Sequence, residues 1–228
     1  MTEQAASVTK GIVGEPLHGK IGVLIEEHFD PTEFRKFNAF FPARGYQVVY
    51  LSHLWGNPEL TFGSNPDNGW VEEHVVVSTE IERVSPTDFK GIILIGGYAT
   101  DRLRYQPTPR KGAPNTAPAV VFLRKAMAHT GLKIGAICHS LWLLCADNSL
   151  LRGRSVTCAH NIICDVENAG GEVVYGEDGT VELVNDGDLV TAKHPGVTDQ
   201  FMEAFLAAIQ NGAESEPGAA PALRQTGI

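Results

Sequence analysis

The chain has 228 residues, 43% hydrophobic and 20% charged, which is enough to bury one substantial core in a single domain. A formal net charge of −9 argues against a broad nucleic-acid surface, because affinity for phosphate backbones comes from clustered Lys and Arg. No run approaches the ~20 apolar residues that span a bilayer, and Met1-Thr2-Glu3-Gln4 lacks a signal-peptide pattern, so the expectation is a cytoplasmic protein whose partner is a small molecule or another subunit.

Residues 1–18 have no sustained period and read as an N-terminal arm, with the folded body at 19–210 and a flexible tail at 211–228. Within the body, short Val- and Ile-rich runs alternate with helix-period segments, the pattern of parallel strands joined by crossover helices. The spacing predicts a strand at 21–25, a helix at 31–44 closed by Gly45, and a second strand at 46–51. The continuously apolar 91–95 reads as a central strand ending at Gly96-Gly97. A helix at 118–130 stops at Gly131, and a buried strand at 132–137 runs directly into Cys138. A helix at 139–151 follows, then a strand at 155–157, a helix at 162–169, a hairpin at 181–184 and 189–191, and a closing helix at 195–210. The Pro-, Gly- and Asn-rich stretches 56–69 and 105–117 read as long loops.

The four cysteines, Cys138, Cys145, Cys158 and Cys164, form no CxxC pair, so they read as thiols rather than a disulfide framework. Of the four, only Cys138 stands both at a strand end and at the start of an expected helix. A nucleophile projecting from a parallel sheet needs a tight strand-to-helix turn with small residues two before and two after it, here Ala136 and Ser140. At a helix N-terminus, unpaired N–H groups would favour thiolate and lower its pKa, and Gly96-Gly97 would add an oxyanion donor. The alternative is one more buried packing cysteine. His139 is read either as a base beside the thiol or as a polar residue starting the helix. The eight histidines show no ligand-spaced cluster, so no metal is expected.

Together these residues resemble the ThiJ/PfpI superfamily, also called the DJ-one superfamily, within the class I glutamine amidotransferase-like group. The segments that carry the resemblance are Phe29-Asp30-Pro31-Thr32-Glu33, Gly96-Gly97-Tyr98-Ala99-Thr100-Asp101, Ala136-Ile137-Cys138-His139, 151–157 and 165–170. The resemblance implies an α/β fold of the flavodoxin-like kind, a three-layer α/β/α sandwich with a mainly parallel sheet and a nucleophile elbow. It implies Cys138 as nucleophile and Glu33 as a protonated acid or base beside the sulfur. Cys138-His139 is similar to the PfpI-type branch, in which a carboxylate from a neighbouring subunit completes a triad; Asp101 stands where those members carry Glu. His160 lies one residue beyond the place of a histidine in carbonyl-processing relatives, and His194 ends the last strand, so both are candidate pocket residues.

The resemblance implies no cofactor and a homodimer or higher homo-oligomer. The leading expectation is an enzyme of the glyoxalase, deglycase or hydratase kind acting on a small electrophile, with Gly97 and His139 N–H groups holding the oxyanion. The alternatives are a PfpI-like peptidase or amidase using Cys138, His139 and a neighbour's Asp101, and a non-catalytic oxidative-stress sensor working through oxidation of Cys138.

Overall fold

The computed structural model of the protein describes residues 18–66 and 72–214; residues 1–17 of the expected arm at 1–18, residues 215–228 of the expected tail at 211–228, and residues 67–71 at the end of the first long loop lie outside the described residues. Thirteen strands and five α-helices follow in order: β1 Gly19–Leu24, α1 Pro31–Ala43, β2 Tyr46–Ser52, β3 Leu60–Gly63, β4 His74–Val77, β5 Thr79–Glu80, β6 Gly91–Leu94, α2 Ala99–Leu103 and α3 Pro118–Met127. After β7 Lys133–Ile137 come β8 Ser155–Val156, α4 Ile163–Asn168, β9 Glu172–Val173, β10 Tyr175–Gly176, β11 Gly179–Thr180, β12 Leu183–Asp186, β13 Leu189–Ala192 and α5 Thr198–Glu214.

Seven strands form one sheet in the order β12-β13-β7-β6-β1-β2-β5, parallel throughout except for the β12–β13 hairpin. Strand β6 is buried at every residue, which explains why its sequence is apolar without alternation. The glycines in this sheet let a helix lie close. A Cβ on Gly135 would stand 2.7 Å from Phe201 Cζ, and one on Gly91 would stand 2.6 Å from Phe205 Cζ, so α5 rests its aromatic rings on bare backbone. Phe37 and Phe41 of α1 meet those rings at 6.3 and 6.4 Å, joining α1 and α5 into one layer. Helices α2 and α3 build the other layer, giving the flavodoxin-like α/β/α sandwich.

Several local expectations are corrected. Residues 138–150 are not an α-helix but 3-10 turns at Cys138–Ala146 and Asn148–Leu150. The buried Cys138, Leu141 and Leu144 recur every third residue, which suits three residues per turn. The stretch 56–69, expected as a loop, contains β3, which pairs antiparallel with β4. Helix α5 continues to Glu214, past the expected end of the folded body at 210.

Candidate active site

The site is assembled where β1, β6 and β7 end. Asp30 caps α1 by accepting hydrogen bonds from Thr32 N–H at 2.8 Å and Glu33 N–H at 3.0 Å, and Pro31 opens the first turn. This fixes Glu33 in the first turn, fully buried and pointing back at the sheet. Gly96 N–H donates to Glu33 Oε2 at 2.6 Å, while Oε1 is buried without a hydrogen-bond partner. A Cβ on Gly96 would fall 2.6 Å from Glu33 Oε1 and 3.0 Å from Cys138 Cβ, so only glycine lets the carboxyl and the thiol close on the same point.

Burial first, and the neighbouring Asp30 charge second, raise Glu33 well above the usual carboxylate range. Burial thus favours the protonated form of Glu33. Because Oε2 accepts from Gly96, a proton on this carboxyl would sit on Oε1, the oxygen that shares the Gly96 side of the site with Cys138 Cβ.

Cys138 sits at the elbow with φ +60°, a left-handed conformation that costs a non-glycine residue roughly 1–3 kcal/mol. The turn is held from behind by Ile137 N–H, which donates to Ser140 Oγ at 2.8 Å, so Ser140 has a structural task beyond small size. The thiol is 6% exposed. Burial first, and negative charge on Glu33 second, push it up to about 12, with the His139 and Gly97 N–H groups pulling the other way. The expected lowering by a helix N-terminus is thus outweighed by burial. A protonated Glu33 removes the charge and offers an O–H donor in its place.

His139 turns onto the thiol: Cys138 Sγ and His139 Nδ1 are 3.1 Å apart. Burial chiefly lowers the His139 pKa, so the ring is neutral and able to accept the thiol proton, while Asn161 favours the charged form. Tyr98 lies against the ring at 5.6 Å between centroids.

Gly97 adopts φ +76°, and a Cβ there would stand 2.3 Å from His28 O and 2.7 Å from Asp30 N. Only glycine therefore fits against that backbone, and the Gly97 N–H lies near enough to the sulfur to favour its thiolate. Gly96 differs from expectation, since its N–H is taken by Glu33 rather than left for substrate.

A cleft of about 1010 Å³ opens over Cys138 and His139. His160, exposed, and His194, exposed and accepting from Gly196 N–H through Nδ1 at 2.9 Å, both line it. Asp101 does not. It is exposed on α2 and borders a separate cavity of about 440 Å³ with Trp55, Arg102 and Tyr105. The first long loop contributes Asn65 to the Cys138 cleft, whereas residues 105–117 contribute nothing to it. Sequence reasoning missed Asp30, Asn161 and Lys193 as cleft residues; Asp30 alone left a local signal, an Asp-Pro helix start. Sheet pairing also gathers His53, Glu80 and Glu82 within 4.8 Å, a grouping hidden in the sequence spacing. There Glu80 already accepts from Leu54 N–H at 2.8 Å and contacts His53 Nδ1 at 3.3 Å, as an ion-pair cluster does.

The sequence pattern of the DJ-1/PfpI family matches residues 19–208. A curated relative, the "Protein/nucleic acid deglycase 2" of Escherichia coli (strain K12), is 32% identical over 188 residues, covering 82% of this chain and 95% of its own length. An uncharacterised protein of Staphylococcus aureus (strain MRSA252) is 26% identical over 191 residues, 84% of this chain and 98% of its own. Among solved structures, a two-domain protein of Anabaena variabilis with DJ-1/ThiJ/PfpI-like and ferritin-like domains superposes with a TM-score of 0.69 at 25% identity. That match covers 92% of this chain but only 52% of the larger one. Drosophila melanogaster DJ-1beta superposes with a TM-score of 0.65 at 18% identity, covering 87% and 97% of the two chains, and so shares the fold. With the family pattern running through the whole sheet and the elbow at its centre, the chain belongs to the DJ-1/PfpI family.

Proposed function

We propose that the protein is a cofactor-independent cysteine enzyme acting on small electrophilic carbonyl compounds, in the manner of a deglycase or glyoxalase. The observation that carries the reading is the buried thiol of Cys138, 3.1 Å from His139 Nδ1 and beside the fully buried carboxyl of Glu33, whose pKa burial raises. The deglycase name of the Escherichia coli relative supports the same chemistry.

In this reading the Cys138 sulfur bonds to the carbonyl carbon, the C=O π bond opens, and the thiol proton passes to His139 Nδ1. The N–H groups of Gly97 and His139 meet the developing oxyanion, which takes the Glu33 proton. With an α-oxoaldehyde, the resulting Glu33 carboxylate removes the hydrogen on the sulfur-bearing carbon and returns it to the neighbouring carbon, while the hydroxyl proton on the first carbon passes to the oxygen on the second. The product is a 2-hydroxy thioester, and water hydrolyses it to release a 2-hydroxy acid and the thiol. Burial of Glu33 suits both halves of this traffic, since it is an acid before addition and a strong base after it.

A second reading, a PfpI-like peptidase or amidase, is favoured by the same Cys138–His139 contact and by Asp101, exposed on α2 where another copy can reach it. One comparison separates them. The purified protein is expected to convert methylglyoxal to lactate and to leave a peptide anilide intact; cleavage of the anilide without methylglyoxal turnover would replace the first reading with the second.

A further inference from the structure

Strand β13 pairs with β7 in register, Ala192 opposite Ile137. The residues that follow, Lys193-His194 and Cys138-His139, therefore leave the sheet side by side, on strands about 4.8 Å apart, and all four line the same cleft.

Lys193 is anchored at both ends of its residue. Its N–H donates to Glu182 O at 3.0 Å, and its Nζ donates to Thr180 O at 2.9 Å. The Nζ partner is a neutral carbonyl, and among the described residues no carboxylate lies within 4.0 Å of the ammonium. Two of its three N–H groups are left for other acceptors. His194 adds a third donor. Its Nδ1 accepts from Gly196 N–H, so the neutral ring carries its proton on Nε2.

The other charges on the cleft are differently occupied. Lys36 is paired with Asp199 at 2.8 Å, and Asp30 is engaged in capping α1. Asp178 lies in the turn between β10 and β11, exposed and screened by solvent.

We propose that Lys193 and His194 form an anion subsite that seats a carboxylate of the substrate while its carbonyl carbon stands at Cys138. The preferred substrate is then a short carbonyl compound that also carries a carboxylate, with neutral α-oxoaldehydes such as methylglyoxal as poorer substrates. This rests on the carbonyl reading for the chemistry, but the subsite itself is testable without turnover.

The test alkylates Cys138 with matched acid and amide probes: iodoacetate against iodoacetamide, and N-iodoacetylglycine against its glycinamide, with Cys138 followed by peptide mass. The thiolate displaces iodide in each case, so only the carboxylate differs. Lys193→Gln is expected to lower the acid-to-amide rate ratio about tenfold for the better-fitting pair, as loss of one charge-assisted hydrogen bond would. Lys193→Arg restores it, and Lys36→Gln leaves it unchanged. A ratio within about twofold of wild type for both pairs in Lys193→Gln, or an equal fall in Lys36→Gln, would overturn the subsite. If the ratio falls as expected while neither methylglyoxal nor glyoxylate is consumed, the subsite stands and the carbonyl reading fails instead.

Discussion

Cys138→Ser is expected to reduce methylglyoxal consumption by roughly a thousandfold or more, with the thermal unfolding transition retained. Serine keeps the size of the side chain and leaves the Ile137 N–H to Ser140 Oγ bond that holds the elbow from behind. What it removes is the polarisable, ionisable sulfur. A hydroxyl ionises far less readily than a thiol, and burial at 6% exposure weighs further against its anion. Neither His139 nor Glu33 can then generate a competent nucleophile. Steady-state loss of substrate, read beside a circular-dichroism melt, checks both parts. Unchanged turnover by a folded variant would exclude Cys138 as the nucleophile.

Glu33→Gln is expected to lower kcat by about 10²–10⁴ with little change in KM, the range for loss of a general acid or base. Glutamine reproduces the hydrogen bond, since its amide oxygen can accept from Gly96 N–H as Oε2 does at 2.6 Å. Its NH₂ can still donate toward the sulfur. It cannot hand over a proton and take one back. A merely structural Glu33 would therefore be rescued by this substitution, whereas a proton carrier would not.

The parts of the site that depend on local pattern were legible in the sequence. Cys138 follows the apolar run 134–137, and Glu33 stands three residues after an Asp-Pro start that caps a helix. The sheet's central strands were equally plain, because burial on both faces leaves β6 apolar throughout and β7 apolar after Lys133. What stayed hidden depends on contacts distant in sequence. Lys193 joins the cleft only through the β13–β7 register, and His53 meets Glu80 only through the β2–β5 pairing. The direction of the Cys138 pKa was misread for the same reason. A helix start is visible locally, but the desolvation that outweighs it comes from elements folded over the elbow. The 3-10 form of 138–146 was hidden too, since its apolar residues fill nearly every position and mask the period.

The central claim, that Glu33 meets Cys138 as a neutral proton donor rather than as a charge, has a test in which the two possibilities move in opposite directions. Leucine matches the bulk of Glu33 but has neither proton nor charge. The rate of Cys138 alkylation by iodoacetamide across pH, compared between wild type and Glu33→Leu, reports how readily the thiolate forms. Loss of a donor to the sulfur is expected to slow alkylation about tenfold at neutral pH and shift the profile to higher pH. Faster alkylation in Glu33→Leu, with the profile moved to lower pH, would show that Glu33 had been repelling the thiolate as a carboxylate and would contradict the claim.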